Sequence, residues 1–391
     1  MPASVSSSSR WSPSDPNFAT EVVKECLTSA LQCGASDVHV QPRRTTWEIA
    51  FRIDGVLQQV DSFDRSETSD PVSRLMALAG LPSYRGGVPQ EGALRWQCND
   101  QVEREMRLGI FPTVHGNRAA IRIMDARESV RDLDELGFDE ATQTQLKSVC
   151  ESRDGWLLVA GPAGSGKTTT LYACLSHIAA GAFRRSVLTI EDPIESVIDS
   201  ISQSQLNASG GLTLAAAMRA AVRQDAEVLL VSEIRDIETA EAVLAASLTG
   251  HLCFSSIHAG SIGATLRRLV QMELPTFAIQ SGLRGILCQR LLRLKCEQCS
   301  GKSKDAATLQ CDNCLGTGYR GRVPIAQLVT FDGSPVGQAV FNALVANRPA
   351  SELDSIIAEA GMNSLSDQAA RLVDVGLTDS AEVFRVLGRN L

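Results

Sequence analysis

The stretch Gly161-Pro162-Ala163-Gly164-Ser165-Gly166-Lys167-Thr168-Thr169-Thr170, preceded by the apolar run Trp156-Leu157-Leu158-Val159-Ala160, decides the fold. It fits the phosphate-loop pattern G-x-x-x-x-G-K-[ST] in the strand-before, helix-after setting that the pattern needs. Glycines let successive backbone N–H groups curl round a phosphate, Lys167 adds a point charge, and the Thr168 hydroxyl is a ligand for Mg²⁺. The helix that follows points its positive end at the same anion. A plain glycine-rich turn would need neither the Lys-Thr pair nor the flanking strand and helix. Residues 161–169 are therefore the expected contacts of ATP with its Mg²⁺.

On either side of the loop, apolar strands alternate with helices from about residue 140 to 290, the signature of an α/β fold with a parallel sheet covered on both faces. The expected strands are Trp156–Ala160, 187–190, 228–231 and 252–257. Each ends in polar residues: the phosphate loop, Glu191-Asp192-Pro193-Ile194-Glu195, Ser232-Glu233-Ile234-Arg235-Asp236, and His258. Ligands of such sheets bind outside the carboxyl ends of the strands, so the four tips are expected to converge on one nucleotide. Hydrolysis of a triphosphate needs a held metal, an oriented water and stabilised charge. Glu233 is assigned to Mg²⁺ or its water shell, because an acid ending an apolar strand is costly without such a duty. Glu195 and Asp192 are the candidates for polarising the attacking water, and His258 for sensing the γ-phosphate. Taken singly, each acid is equally well a helix cap or a surface charge, and a lone histidine is more often a packed one.

Earlier in the chain the pattern differs. Residues 1–16, rich in Ser and Pro, are expected to be a flexible tail. Phe18, Val22, Val23, Leu27, Ala30 and Leu31 recur at helical spacing, with Gly34 as a stop. Strands follow at 37–40, 47–53 and 56–60, the last two joined by Asp54-Gly55, a hairpin signal. A helix over 68–80 and strands at 102–111 and 118–124 complete a small α+β domain spanning 17–130, ahead of a larger domain over 131–391. In the run from Val102, alternation puts Arg107 on the polar face, and the same count puts Arg52 and Arg122 there. Arginines gathered on one sheet face reach for phosphates or are simply solvated.

Cys296-x-x-Cys299 and Cys311-x-x-Cys314 form the second constellation. Two such pairs suit a tetrahedral Zn²⁺ knuckle over 296–314, and four thiolates leave no open position, so the site is expected to be structural. After about 330 the chain is expected to be helical, over 335–346, 351–360, 364–376 and 379–388, serving packing or subunit contact.

The totals narrow the function classes. A formal charge of -8 over 391 residues argues against a chain that coats nucleic acid. No apolar run approaches a membrane span, and Ser6–Ser9 with Arg10 leads into no signal-peptide core, so a cytoplasmic protein is expected. Eleven cysteines in a chain long enough to build its own cores are expected to be reduced thiols, four of them on metal.

These motifs, in this order, resemble the secretion ATPase family of bacterial type II secretion and type IV pilus assembly. The resemblance rests on Ala35-Ser-Asp-Val-His-Val40, Phe51-Arg-Ile-Asp-Gly55, Pro89-Gln-Glu-Gly92, the phosphate loop and Thr189-Ile-Glu-Asp-Pro-Ile-Glu195. It continues through Arg223-Gln-Asp225, Glu233-Ile-Arg-Asp-Ile-Glu-Thr-Ala240, the His258 box and Cys314-Leu-Gly-Thr-Gly-Tyr-Arg-Gly-Arg322. It implies a RecA-like P-loop domain joined to a PAS-like small domain. It also implies a homo-hexamer that works on an inner-membrane platform protein and is peripheral to that membrane through its partners. By the same resemblance Arg107 contacts nucleotide, and Arg219, Arg223, Arg235 and Arg320 lie near the site or a subunit interface. The tetracysteine unit favours extrusion over retraction. Three features depart from the family: Ala93 stands where Arg is usual, with Arg95 two residues on along the same face; Ser232 and His258-Ala-Gly-Ser261 alter two boxes; and no counterpart of the family's extra N-terminal domain is evident. Three readings follow: a hydrolysing motor, a nucleotide-binding but weakly hydrolysing paralogue, and a RecA-like nucleic-acid translocase. The acidic balance and the lack of a basic, aromatic-bearing strand disfavour the third.

Overall fold

The computed structural model describes residues 15–65, 70–84, 87–97, 103–124, 131–206, 212–302, 311 and 313–388. The expected tail, apart from its last two residues, and Val102 fall outside them. The chain divides into two compact units, one built on residues 1–127 with 302–318, the other on 128–301 with 319–391.

In the first unit a six-stranded antiparallel sheet runs in the order β3-β2-β1-β6-β5-β4. The strands are β1 (Asp37–Pro42), β2 (Thr46–Ile53), β3 (Val56–Asp64), β4 (Gln90–Gln97), β5 (Glu103–Thr113) and β6 (Gly116–Met124). Asp54 and Gly55 both take positive φ, the type I′ geometry that matches the twist of β2 and β3. Helix α1 (Phe18–Gln32) buries Phe18, Val22, Val23, Cys26, Leu27 and Ala30 along one stripe. With Val72, Leu75 and Met76 of α2 (Pro71–Leu78) it packs on the apolar sheet face, against Phe51, Met106, Leu108 and Ile121. Burial of the Cys26 thiol, with Asp61 adding to it, pushes its pKa up to about 12. Such a thiol is an inert core side chain.

The second unit holds a seven-stranded sheet in the order β13-β12-β7-β11-β10-β8-β9. Its central strands are β7 (Gly155–Ala160), β8 (Val187–Glu191), β10 (Val228–Val231) and β11 (Leu252–Ile257), all parallel, with β9 (Ser202–Gln205) parallel at one edge. β12 (Leu283–Lys295) adds in parallel to β7, and β13 (Tyr319–Thr330) closes the other edge in antiparallel register. Alternate residues feed two cores. Leu158, Ala160, Leu229 and Val231 face α5 (Leu214–Ala221), α6 (Ile237–Leu248), α7 (Ile262–Gln271), α8 (Thr276–Gly282), α9 (Pro335–Val345) and α10 (Ala350–Glu359). Leu157, Val159, Val228 and Leu230 face α3 (Glu140–Glu151) and α4 (Lys167–Ala179). Burial on both faces is why these strands read as continuous apolar runs. Two more helices, α11 (Leu365–Asp374) and α12 (Ser380–Leu387), pack on β12 and β13.

Among the described residues no helix is long and apolar enough to cross a membrane.

Candidate active site

β7 is buried along its whole length and delivers Gly161 to the carboxyl edge of the sheet, where the Gly161 N–H donates to the carbonyl of Ile257 at the end of β11, 3.2 Å away. A Cβ on Gly161 would lie against Ser165 Oγ and 2.7 Å from the Gln289 carbonyl oxygen, so only glycine lets the loop close on β12. Gly164 and Gly166 take left-handed φ of +72° and +86°, which costs a glycine nothing. Among the described residues Ser165 Oγ, which is buried, has no hydrogen-bond partner, and α4 starts at Lys167. A glycine cradle, an unassigned hydroxyl and a helix N-terminus together fit a phosphate group.

Lys167 lies over the loop, its Nζ donating to the carbonyls of Gly161 (3.0 Å) and Pro162 (2.9 Å). Burial holds its pKa below the ordinary lysine value; Glu233 pulls the other way, Arg290 adds to the lowering, and Glu195 opposes it more weakly. Both expected acids therefore lie within electrostatic reach of the loop lysine. Thr168 is half-buried in the first turn of α4 and Thr169 is exposed beside it.

At the neighbouring tips, Glu233 accepts from Arg235 Nε at 3.0 Å through one oxygen and faces His258 Nε2 at 3.2 Å through the other. One side-chain and one backbone tie fix this arrangement: Ser256 Oγ donates to the Ser232 carbonyl at 2.6 Å, and Ile234 N–H to the Ser256 carbonyl at 2.9 Å. The tips of β10 and β11 are thus joined to each other. Beyond β8, Asp192 precedes a cis proline and is exposed, as is Glu195. Arg223, just past α5, donates to the Arg219 carbonyl at 3.0 Å. Arg219 is exposed on α5, and Arg320 at the start of β13.

Sequence reasoning passed over four side chains that hold these tips. Glu191, 1% exposed, accepts from the Tyr172 hydroxyl, from Thr189 Oγ1 (2.5 Å) and from Gln203 Nε2 (3.1 Å). Tyr172 also accepts from the Glu195 N–H at 3.2 Å, so α4 and the acidic loop share one anchor. Burial, with the Glu191 hydrogen bond and charge, raises the Tyr172 pKa and keeps it a phenol. Gln289 and Arg290, buried on β12, bind the phosphate loop and the loop after His258. Apart from Thr189, two residues before Glu191, each partner lies at least 12 residues away in sequence, so local pattern carries no signal of it.

In the first unit, cross-strand register aligns Ala93, Arg107, Arg122, Asp37 and Arg52 in one transverse row. The three arginines occupy the sheet face opposite the core. Asp37 lies between Arg52 (3.5 Å) and Arg122 (3.6 Å) and offsets part of their charge. Ala93 stands directly opposite Arg107, whereas Arg95 pairs in register with Glu105. Next to this row, burial lowers the His39 pKa, helped by Arg118, whose guanidinium is 2.9 Å from His39 Nδ1.

Following β12 come Cys296, Cys299, Cys311 and Cys314, all buried, with their sulfurs within 4.8 Å of one another. The Gly318 N–H donates to Cys314 Sγ at 3.3 Å, the kind of bond that steadies a thiolate. Four converging buried sulfurs fit a tetrahedral Zn²⁺ site and no catalytic metal.

Comparison with known proteins gives a consistent outcome. A family model described as type II/IV secretion system protein matches residues 13–385. The type II secretion system ATPase E of Vibrio cholerae is 34% identical over 384 residues, covering 94% of this chain and 75% of that protein. The type IV pilus assembly ATPase PilB of Thermus thermophilus is 33% identical over 390 residues, covering 95% of this chain and 43% of that protein, so the present chain spans less than half of that relative. Among solved structures, the Legionella pneumophila ATPase DotB superposes with a TM-score of 0.68 at 20% identity, covering 93% of this chain and 94% of that one, and shares the fold.

Proposed function

The chain belongs to the type II/IV secretion system protein family, and from that premise we propose that it is a Mg²⁺-dependent ATPase, built as a homo-hexamer. In this reading the second unit is RecA-like and the first PAS-like. Hydrolysis drives assembly of a type II secretion pseudopilus or a type IV pilus through an inner-membrane platform protein, the hexamer lying on the cytoplasmic side, and nucleic acid has no part.

The observation that carries the reading is the joint position of Glu233, held between Arg235 and His258, and of Lys167 over a phosphate-sized cradle. Mg²⁺, when bound, neutralises phosphate charge; Thr168 and Glu233 are the groups that would hold it or its water. Backbone N–H groups of residues 161–169 bind the phosphates. Lys167 exchanges its two carbonyl partners for phosphate oxygens. Glu195, beside Asp192, accepts a proton from the attacking water, and His258, oriented by Glu233, donates to the γ-phosphate. Arg223 and Arg235 supply positive charge for the developing negative charge, a role that costs no proton transfer. The four cysteines hold Zn²⁺ away from this chemistry.

Purified protein is expected to hydrolyse ATP only with Mg²⁺. Lys167→Ala should abolish turnover, and Glu233→Gln should lower it on the order of 100-fold. Full activity in both variants would sink the reading. Ala93 favours a second one, a paralogue that binds nucleotide and hydrolyses it weakly, because the position facing Arg107 carries no charge. Turnover of the assembled protein well above background excludes that alternative.

A further inference from the structure

We infer that Gln289 and Arg290, adjacent on β12, are positioning residues that separately set the phosphate loop and the His258 loop. The inference rests on the ATPase reading above and adds the two residues that align its parts.

Gln289 is 1% exposed, and its carboxamide spans two elements. Nε2 donates to the Ser165 carbonyl at 2.7 Å, and Oε1 accepts from Thr170 Oγ1 at 3.0 Å. The peptide between Ser165 and Gly166 is trans and planar, so a carbonyl drawn toward β12 turns the Gly166 N–H the opposite way, away from β12. One amide thereby fixes the direction of a loop donor and the first turn of α4 together. Neither glutamate nor leucine does both: the first has no donor for Ser165, the second has no polar atom.

Arg290 is 9% exposed, and among the described residues it makes no ion pair. Its NH2 donates to the Gly260 carbonyl at 2.7 Å and its NH1 to the Gln289 carbonyl at 2.8 Å. Its NH1 also donates to Cys288 Sγ at 3.7 Å, and a buried guanidinium spent on two backbone carbonyls and a thiol is a costly way to hold a surface loop unless the position of that loop matters. The loop is clamped from two further sides. Arg268 NH1 donates to the His258 carbonyl at 3.0 Å, and Asp354 of α10 accepts from the Gly263 N–H at 2.8 Å. His258 therefore sits on a segment held by Arg268, Asp354, Arg290 and Cys288, whose Sγ donates to the same Gly260 carbonyl at 3.6 Å; of these, Arg290 and the weaker thiol donor Cys288 tie it to the strand that also holds the phosphate loop.

The two residues should fail differently. The phosphate loop meets every nucleotide, whereas the His258 loop meets only one with a γ-phosphate. Affinities of the full-length protein for fluorescent ADP and for ATPγS, each with Mg²⁺, separate the roles without relying on turnover. Gln289→Glu is expected to weaken both about tenfold. Thr170→Val, which removes one end of the bridge, should weaken both by a smaller factor. Arg290→Met is expected to leave ADP within about twofold and to weaken ATPγS about tenfold, and Arg290→Lys should recover part of that loss. Leu287→Val, on the same strand and in the core, serves as the control for nonspecific loosening, and melting temperatures show that each variant is folded. If Gln289→Glu does not fold, Thr170→Val and the Arg290 pair still decide the matter. Equal effects on both ligands in every variant, or effects no larger than those of Leu287→Val, overturn the positioning roles while leaving the ATPase reading intact. Wild-type protein that binds neither ligand overturns both.

Discussion

At the scale of single residues, the site is governed by close approach. Gly161 shows this most plainly, because the space its Cβ would need is taken by Ser165 Oγ and the Gln289 carbonyl. Gly161→Ala must push the loop off β12 at about 1–3 kcal/mol, and it should weaken ADP binding in a titration while far-ultraviolet circular dichroism stays unchanged. Unchanged affinity would mean that the loop tolerates displacement. The glycines, Lys167 and Thr168 were legible in the sequence because their spacing is itself the motif. Glu233 was legible because an acid closing an apolar strand is conspicuous. Gln289 and Arg290 were not legible. Their hydrogen bonds reach 124 and 30 residues back along the chain, and a Gln-Arg pair inside a strand looks like any polar interruption.

Elements show a second limit. β12 carries Leu283, Ile286, Leu287, Cys288 and Leu292 inward with Gln289 and Arg290 among them, so it has neither clean alternation nor an unbroken apolar run. Its sequence does not read as a strand, although among the described residues it is the longest one and lies beside β7. The parallel strands β7, β8, β10 and β11 were readable because both faces are buried. β12 also leads directly into the cysteine cluster, and this links metal to the shape of its far end. Stripping Zn²⁺ with a strong chelator, or replacing Cys296 by Ser, is expected to remove about one equivalent of zinc per chain and to lower the melting temperature. Elemental analysis that finds no zinc in folded, reduced protein would refute the assignment.

For the whole molecule, the C-terminal helices do more than cover the sheet. Glu382 of α12 is fully buried and accepts from the Arg293 N–H (3.0 Å), from Arg293 Nε (2.9 Å) and NH2 (2.7 Å), and from Arg385 at 2.7 and 2.6 Å. The Arg293 guanidinium also lies over the Tyr319 ring at 4.0 Å, and the Tyr319 hydroxyl donates to Asp379. Burial alone would raise the Glu382 pKa, but hydrogen bonds from Arg385 and Arg293 outweigh it and hold the carboxyl below its ordinary value. The stability from this cluster is therefore complete above the unfolded glutamate value of about 4.3 and is lost as pH falls through the lower folded value. Glu382→Gln should cost about 3 kcal/mol at pH 7, because Arg293 stays largely buried without its counter-charge. Its melting temperature should then fall less steeply in acid than that of the wild type; parallel pH profiles would contradict this assignment.

The same cluster has a consequence for the order in which the protein is made. Arg293 leaves the ribosome 89 residues before Glu382, a delay on the order of 5–20 s at ordinary rates of synthesis. Throughout that interval β12 holds a cation whose partner does not yet exist, and its outer end has no clasp. The strand that steadies the phosphate loop thus gains this clasp only after Glu382 has been made, and a nascent chain stalled before Glu382 would carry β12 without it.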